Sequence, residues 1–179
     1  MGVLALTKDE AAVKRFEREV KAAAKLTHPN IVQTYDAGAQ RGVHYLVMEF
    51  VDGRDLSAIV KQNGPLPVQE ATDCILQAAR GLEFAHKKGV VHRDIKPANI
   101  MINRSGRPQI MDFGLAKALG KSLITKEAKT MGTVAYMSPE QAESRSVDAR
   151  SDIFSFGLVS HACNSSFIAH YLSALLALL

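Results

Sequence analysis

The segment HRDIKPAN, residues 92–99, places charged and amide side chains inside a run of β-branched residues. It contains Asp94, Lys96 and Asn99, and Asp112 follows 18 positions after Asp94 in the tetrapeptide MDFG. Charged groups are costly to bury beside valine and isoleucine unless they are paired. The segment is therefore either a solvated loop between strands or a functional site.

The residue types at these positions suit the transfer of a phosphoryl group. Mg²⁺ prefers oxygen ligands, and in proteins it commonly uses one or two carboxylates together with substrate phosphates. A further carboxylate nearby can take the proton of an attacking hydroxyl. A lysine beside it can stabilise the negative charge that develops on the phosphoryl group. Either loop alone is better explained as a polar turn, and only the two loops together predict this chemistry.

Two short strands would have to bring these loops together. Ile100 to Ile102 and Gln109 to Met111 predict a hairpin that returns the chain to the first loop. Upstream, Val68 to Lys88 has apolar residues at helical spacing and is followed by Gly89, so it predicts a helix with a glycine at its C-terminal end. Val90-Val91 is predicted as a short strand that leads into HRDIKPAN.

The first fifty residues predict a helix and two strands. Thr7 to Leu26 has helical periodicity with Thr7 as its cap, and Ile31 to Tyr35 and Val43 to Phe50 are predicted strands joined by the polar turn DAGAQRG. The sequence VDGRDLSAIVKQNGPL then predicts a turn, a short amphipathic helix and a Gly-Pro break. Ser138-Pro139-Glu140 is predicted to open another helical turn.

The end of the chain, from Ile153 to Leu179, contains no Asp, Glu, Lys or Arg. A helix that crosses a bilayer needs about 20 predominantly apolar residues, and Ser, His and Asn interrupt this run. We therefore expect a buried helix followed by an unnatural or truncated end, and no membrane span.

Composition narrows the remaining classes of function. The 179 residues suffice for one domain or two small lobes, and the net charge of +4 comes without a basic run interleaved with aromatics. We therefore expect a mixed-charge surface and no nucleic-acid binding. Cys74 and Cys163 lack metal or redox spacing, which predicts free buried thiols in a reducing, cytoplasmic compartment. The first residues predict neither a signal peptide nor myristoylation.

Together, HRDIKPAN and MDFG resemble the catalytic motifs of the protein kinase superfamily, and the resemblance extends roughly from Thr7 to Val159. It implies ATP and Mg²⁺ as cofactors and a Ser or Thr hydroxyl of a protein as the acceptor. The implied site residues are the catalytic Asp94, Lys96 and Asn99, the metal ligands Asn99 and Asp112, the regulatory-helix Glu19, and the nucleotide-binding Met48, Glu49 and Val51. Met48 is the gatekeeper position, and backbone groups of the next three residues would bind adenine. The sequences of these motifs are most similar to those of bacterial Ser/Thr kinases of the eukaryotic type.

Further residues match structural or regulatory positions of that family, namely His92, Arg93, Phe113, Gly114, Glu140 and Asp152. His92 would support the loop by packing, and Asp152 would hold the backbone of the catalytic loop. Arg93 implies activation by phosphorylation of the intervening loop at Thr125, Thr130 or Ser122. The alternative is an ordinary flexible loop rich in lysine and threonine. Phosphorylation there would involve self-association of the chain.

The resemblance implies an α+β fold with two lobes, each incomplete. Residues 1–50 would form a partial small lobe with the regulatory helix and two or so strands. Residues 51–159 would form a partial, mainly helical large lobe, and residues 160–179 would be an apolar tail that does not match the family.

Two departures from the family pattern bear on activity. The Gly-rich phosphate loop and the strand lysine that should precede Glu19 are missing, and so is the later helix whose Arg would pair with Glu140, so both ends look cut. Three hypotheses follow: a working Ser/Thr kinase, an inactive kinase fragment, and a non-catalytic binding module. The intact set Asp94, Lys96, Asn99, Asp112 and Gly114 argues against a chain selected for binding alone.

Overall fold

A computed structural model describes residues 2–4, 20–40, 43–113 and 134–164. The strands are β1 Gly2–Leu4, β2 Thr34–Gln40, β3 Val43–Met48, β4 Gly53–Asp55, β5 Ile100–Asn103 and β6 Pro108–Ile110. The helices are α1 Leu56–Asn63, α2 Val68–Lys87, α3 Pro139–Ala142 and α4 Ala149–Cys163, and short 3₁₀ turns lie at Pro97–Asn99 and Val134–Tyr136. The predicted α+β class is confirmed.

The first sheet forms the small lobe, with antiparallel strands in the order β1-β3-β2. The predicted strand bounds were wrong here, because β2 begins at Thr34 and includes Asp36 and the residues that follow it, which we had predicted as a turn. An edge strand tolerates polar residues on its open side, and Tyr35 and Asp36 are indeed exposed. The third strand, β1, was not predicted, since three residues are too few to display an alternating pattern.

The β-branched pair Ile31-Val32, predicted as the start of a strand, instead joins the small lobe to the second sheet. The Val32 amide donates to the Ile110 carbonyl at 2.9 Å, and the Ile110 amide donates to the Asn30 carbonyl at 2.9 Å. The Asn30 side chain donates to the Pro108 carbonyl at 2.9 Å. These bonds tie the segment before β2 to β6 and fix the two lobes against each other.

The second sheet has the antiparallel order β4-β5-β6 and lies in the large lobe. The hairpin of β5 and β6 is the one predicted from the sequence, with Ile100 opposite Ile110. Strand β4 was predicted as part of a turn, and this was wrong because its backbone pairs with β5, from Gly53 opposite Asn103 onwards. Gly53 is needed there, since a Cβ at this position would lie 2.0 Å from the Ile102 carbonyl oxygen.

Helix α2 ends in a Schellman motif shortly before the segment HRDIKPAN. Gly89 has a φ of 73°, its amide donates to the His86 carbonyl at 2.9 Å, and the Val90 amide donates to the Ala85 carbonyl at 3.0 Å. The predicted glycine at the helix end is thus confirmed. The predicted strand at Val90-Val91 was wrong, because the Val90 amide is used to terminate the helix and the two residues join no sheet.

The predicted helix at Thr7 to Leu26 lies mostly outside the described residues. The described part is helical over residues 20–23 and then turns, so the helix ends slightly earlier than predicted. Asp55 caps α1 by accepting a hydrogen bond from the Ala58 amide at 2.8 Å.

The main hydrophobic core lies in the large lobe, between α1, α2, α4 and the second sheet. Its most buried members include Leu26, Leu56, Ile95, Ile100, Ile110, Val159 and Cys163. Helix α4 continues to Cys163, whose carbonyl accepts from the Leu66 amide at 2.9 Å. Residues 160–163 therefore pack as helix, while the predicted boundary of a non-matching tail stays a prediction. Within the described ranges, no helix combines the length and apolar character that a bilayer span requires.

Cys74 and Cys163 are free and buried, as the sequence predicted. Burial raises the pKa of the Cys74 thiol to about 11 and that of Cys163 to about 12. We expect a disulfide-exchange reagent such as dithiobis(nitrobenzoate) to modify neither thiol of the folded chain at pH 7. The thiolate is the reactive form, and the raised pKa values keep both groups protonated. Absorbance should show both thiols reacting only after guanidinium is added. Rapid release of one equivalent from the folded chain would contradict this.

Candidate active site

Two residues of the segment HRDIKPAN, Lys96 and Asn99, contact the Asp94 carboxylate. The Lys96 ammonium lies 2.8 Å from Asp94 Oδ2. The Asn99 amide nitrogen donates to the Asp94 carbonyl at 2.7 Å and to Asp94 Oδ2 at 3.2 Å. The 3₁₀ turn Pro97–Asn99 makes this possible because it reverses the chain. Within it, the backbone amide of Asn99 donates to the Lys96 carbonyl at 2.9 Å. The arrangement leaves Asp94 partly accessible, with a quarter of its side chain exposed.

Asp152 on α4 holds the backbone that precedes Asp94. Its carboxylate is almost completely buried and accepts the His92 amide at 2.8 Å and the Arg93 amide at 2.7 Å. The His86 ring nitrogen Nε2 lies 2.8 Å from the same carboxylate. Arg93 has a φ of 70°, a strained value for a residue with a side chain. The two hydrogen bonds from the His92 and Arg93 backbone amides to Asp152 stabilise that conformation.

His92 is fully buried and connects the two motifs. Its Nδ1 accepts the Asp94 amide at 3.2 Å, so the ring proton lies on Nε2, which donates to the Met111 carbonyl at 2.8 Å. The ring also contacts Phe113 edge-on, with 4.7 Å between ring centroids. With both nitrogens engaged in this way, His92 occupies a packing position and is not placed to exchange a proton with a substrate.

Asp112 follows this contact and lies close to the catalytic loop. Its φ of 65° and the bond from the Met111 amide to the Asn99 carbonyl, 3.0 Å long, set its position next to Asn99. Burial raises the pKa of the Asp112 carboxyl above its ordinary value, and the negative charge of Asp94 raises it further, whereas Lys96 lowers it. A half-buried carboxylate whose charge is disfavoured by its surroundings is a suitable partner for a cation.

The donor set of Asn99 and Asp112 fits a shared magnesium site. Because the Asn99 amide nitrogen is directed at Asp94, its amide oxygen is the atom that remains for a cation. In the described part of the chain no three His, Cys, Asp or Glu side chains form a closed metal site. Asn99 and Asp112 would therefore hold Mg²⁺ together with phosphate oxygens of a nucleotide.

A pocket of about 220 Å³ lies between the lobes, where the predicted nucleotide-binding residues are. Its walls are largely apolar and are formed by Val32, Leu46, Met48, Glu49, Phe50, Val51, Met101 and Met111. The Glu49 carboxylate is already engaged within the protein. It accepts a hydrogen bond from the Gln33 backbone amide at 3.2 Å and lies 3.3 Å from the Gln109 side-chain amide. Adenine would thus be bound at Glu49 by backbone groups, as the resemblance implied.

Glu140 has a hydrogen-bond partner on α4, whereas the expected loss of its family arginine partner stays a prediction. The Ser151 hydroxyl of α4 donates to its carboxylate, and this bond lowers the pKa of Glu140 below its ordinary value. Ser138 begins the short helix α3 with a capping box in which Gln141 takes part. Ser138 therefore has a structural role here as the N-cap of α3.

Two residues of this network were not predicted from the sequence. His86 contacts Asp152, and the Gln141 side chain donates to the Arg93 carbonyl at 2.7 Å. No local pattern marks either residue, because each contact spans about 50 or more positions of the chain. The predicted residues Glu19, Gly114, Thr125, Thr130 and Ser122 lie outside the described residues.

Comparison with known proteins agrees with this geometry. The sequence profile of the family described as "Protein kinase domain" matches residues 3–168. The chain is 48% identical over 153 residues to a protein of Clostridium acetobutylicum named "Probable serine/threonine-protein kinase", covering 86% of this chain and 23% of that protein. It is 46% identical over 159 residues to serine/threonine-protein kinase PknB of Mycobacterium leprae, covering 86% and 26%. PknB of Mycolicibacterium smegmatis is 44% identical over 160 residues, with the same coverage. The chain thus spans about a quarter of the length of these relatives.

Proposed function

The chain belongs to the protein kinase family, and we propose that it is part of the catalytic domain of an ATP-dependent protein serine/threonine kinase. The observation that carries this proposal is the convergence of Lys96 and Asn99 on the Asp94 carboxylate, next to the half-buried Asp112. Relatives named as serine/threonine kinases support the choice of a Ser or Thr acceptor.

Each side chain at the site has a role in this proposal. Asp94 orients the acceptor hydroxyl and takes its proton, and Lys96 stabilises the charge on the transferred γ-phosphoryl group. Asn99 and Asp112 hold Mg²⁺, which supplies positive charge to the ATP phosphates when bound. The apolar pocket between the lobes receives adenine beside Met48 and the backbone from Glu49 to Val51.

A catalytically inactive fragment that serves as a binding module is the second candidate, and one observation favours it. Strands β1, β2 and β3 of the small lobe contain no lysine, so none of them can supply the side chain that contacts the ATP phosphates in the family. Phosphoryl transfer depends mostly on positioning and electrostatics. A site without the positive charge of this lysine beside the ATP phosphates would therefore transfer the phosphoryl group much more slowly.

A transfer assay separates the two candidates. The purified chain is incubated with Mg²⁺, γ-labelled ATP and a generic mixture of Ser, Thr and Tyr peptides, and the products are identified by mass spectrometry. The proposal requires phosphoserine or phosphothreonine in the peptides. The Asp52→Asn variant, which breaks the exposed Asp52–Arg104 ion pair, is the control and should give the same products. Label restricted to tyrosine would refute the acceptor class, and no label with bound nucleotide would favour the binding module.

Location and assembly remain parts of the proposal. Two free buried thiols support a reducing compartment such as the cytoplasm. Self-association for phosphorylation of the loop that contains Thr125 and Thr130 stays a prediction, as does recognition of a protein substrate.

A further inference from the structure

The side chain of Gln141 uses both ends of its amide for different purposes. It is 6% exposed, and its oxygen accepts the Ser138 amide at 3.0 Å, which closes the capping box of α3. Its nitrogen is directed the other way and donates to the Arg93 carbonyl at 2.7 Å. The cap needs the oxygen alone, so the second bond serves another function.

The Arg93 carbonyl belongs to the peptide group that joins Arg93 to Asp94. The amide of the same peptide group donates to His92 Nδ1 at 3.2 Å, and the preceding amide, that of Arg93, donates to Asp152 at 2.7 Å. Three side chains thus fix consecutive backbone groups of a residue with a φ of 70°. Gln141 is the member of this set that lies on α3, directly after the segment Ser138 to Glu140.

We propose that Gln141 is a positioning residue that couples the segment Ser138 to Glu140 to the backbone of Asp94. A movement of α3 changes the direction of the Gln141 amide and with it the peptide group that orients the Asp94 carboxylate. Gln141 also lines a small pocket together with Arg93, Asp94, Tyr136 and Met137, so it acts next to the site and not at a distance. The consequence for catalysis rests on the proposed kinase function, whereas the coupling itself is independent of it.

Two substitutions separate positioning from capping. Gln141→Glu retains an oxygen acceptor for the Ser138 amide and replaces the donor to Arg93 with a second acceptor. Gln141→Met has a similar shape and can make neither bond. Gln62→Glu, at an exposed position of α1, introduces the same charge away from the site and is the matched control.

The measurement is amide hydrogen exchange, resolved by residue with NMR, on the full chain without nucleotide. At pH 7 we expect the Arg93 and Asp94 amides to exchange about tenfold faster in both variants, as for the loss of one buried hydrogen bond. The Ser138 amide should stay protected in Gln141→Glu and lose protection in Gln141→Met. Amides in the middle of α2, such as that of Leu82, should be unchanged.

A pH series adds a readout that a purely structural role would not move. The carboxyl introduced by Gln141→Glu donates to the Arg93 carbonyl only when protonated, and burial raises its pKa above the ordinary value of about 4.3. Protection at Asp94 should therefore be present at low pH and lost as the pH rises through that pKa, after correction for intrinsic exchange. Arg93, Asp94 and Tyr136 line the same pocket, and Gln141→Met, which retains all three, should lack this dependence.

Equal protection of Arg93 and Asp94 in the parent chain and both variants would overturn the proposal and leave Gln141 as a helix cap. A uniform loss of protection that includes α2 would also overturn it, because Gln141 would then stabilise the fold as a whole. Neither result depends on nucleotide binding or transfer, so a failure of the proposed function would be seen separately.

Discussion

Replacement of Asp94 by Asn should lower the rate of phosphoryl transfer by about 10²–10⁴-fold, the usual contribution of a general base, and should leave the affinity for Mg²⁺-ATP nearly unchanged. An amide cannot take the proton of the acceptor hydroxyl, whereas its size and remaining oxygen preserve the packing beside Asn99. The pocket between the lobes and the proposed metal ligands Asn99 and Asp112 are not altered. The measurement pairs a steady-state transfer assay with calorimetric titration of ATP.

Asp52→Asn serves as the control for this experiment. It removes a carboxylate from an exposed pair with Arg104, 2.7 Å apart, and should change neither transfer nor binding. Transfer by Asp94→Asn at the rate of the parent chain would show that Asp94 is not the base. A loss of nucleotide binding in the same variant would assign Asp94 to the binding site instead.

Replacement of Asp152 by Asn should lower the free energy of unfolding by about 3 kcal/mol, because buried donors that lose a charged acceptor cost about 1–3 kcal/mol each. The Asp152 carboxylate accepts the His92 and Arg93 amides and contacts the His86 ring. An Asn side chain has one oxygen, so in either orientation its NH₂ group faces one of the two buried backbone donors. This loss is a large fraction of the total stability of a small domain, about 5–15 kcal/mol.

Urea unfolding followed by circular dichroism measures this change. Asp73→Asn is the matched control, since Asp73 is exposed on α2 and its carboxylate accepts a hydrogen bond from the Gln69 side chain on the same helix. It should stay within about 0.5 kcal/mol of the parent chain, as surface substitutions usually do. An Asp152→Asn variant as stable as that control would mean that Asp152 does not hold the catalytic loop.

The sequence predicted those parts of the fold that have strong local signals. Helix α2 has apolar residues at helical spacing and a glycine at its end, and both features appear in the structure, with Gly89 at a φ of 73°. The hairpin of β5 and β6 is short but bounded by polar turns, and it brings Asp112 next to Asn99 as expected. The motifs that resemble the protein kinase superfamily were sufficient for the family, and the resemblance implied the α+β class.

The errors have a common physical origin in pairing between distant segments. Strand β2 extends through Asp36 because β3 offers a ladder of hydrogen bonds, and β4 exists because β5 pairs with it. Such pairing outweighs the turn propensity of Asp and Gly. The same holds at the site, where the contacts of His86 and Gln141 join segments that are separated in the chain. Local patterns carry no information on these bonds.

The most direct test of the proposed nucleotide site is a calorimetric titration of the chain with ATP, with and without Mg²⁺, beside the variant Asp112→Asn. The variant should remain folded, because burial raises the pKa of the Asp112 carboxyl and the fold thus disfavours the charge that the substitution removes. We predict saturable binding that requires Mg²⁺ in the parent chain and is lost in the variant. Equal Mg²⁺-dependent binding by both chains, or none by a folded parent chain, would contradict the assignment of Asn99 and Asp112 as the metal ligands of a kinase site.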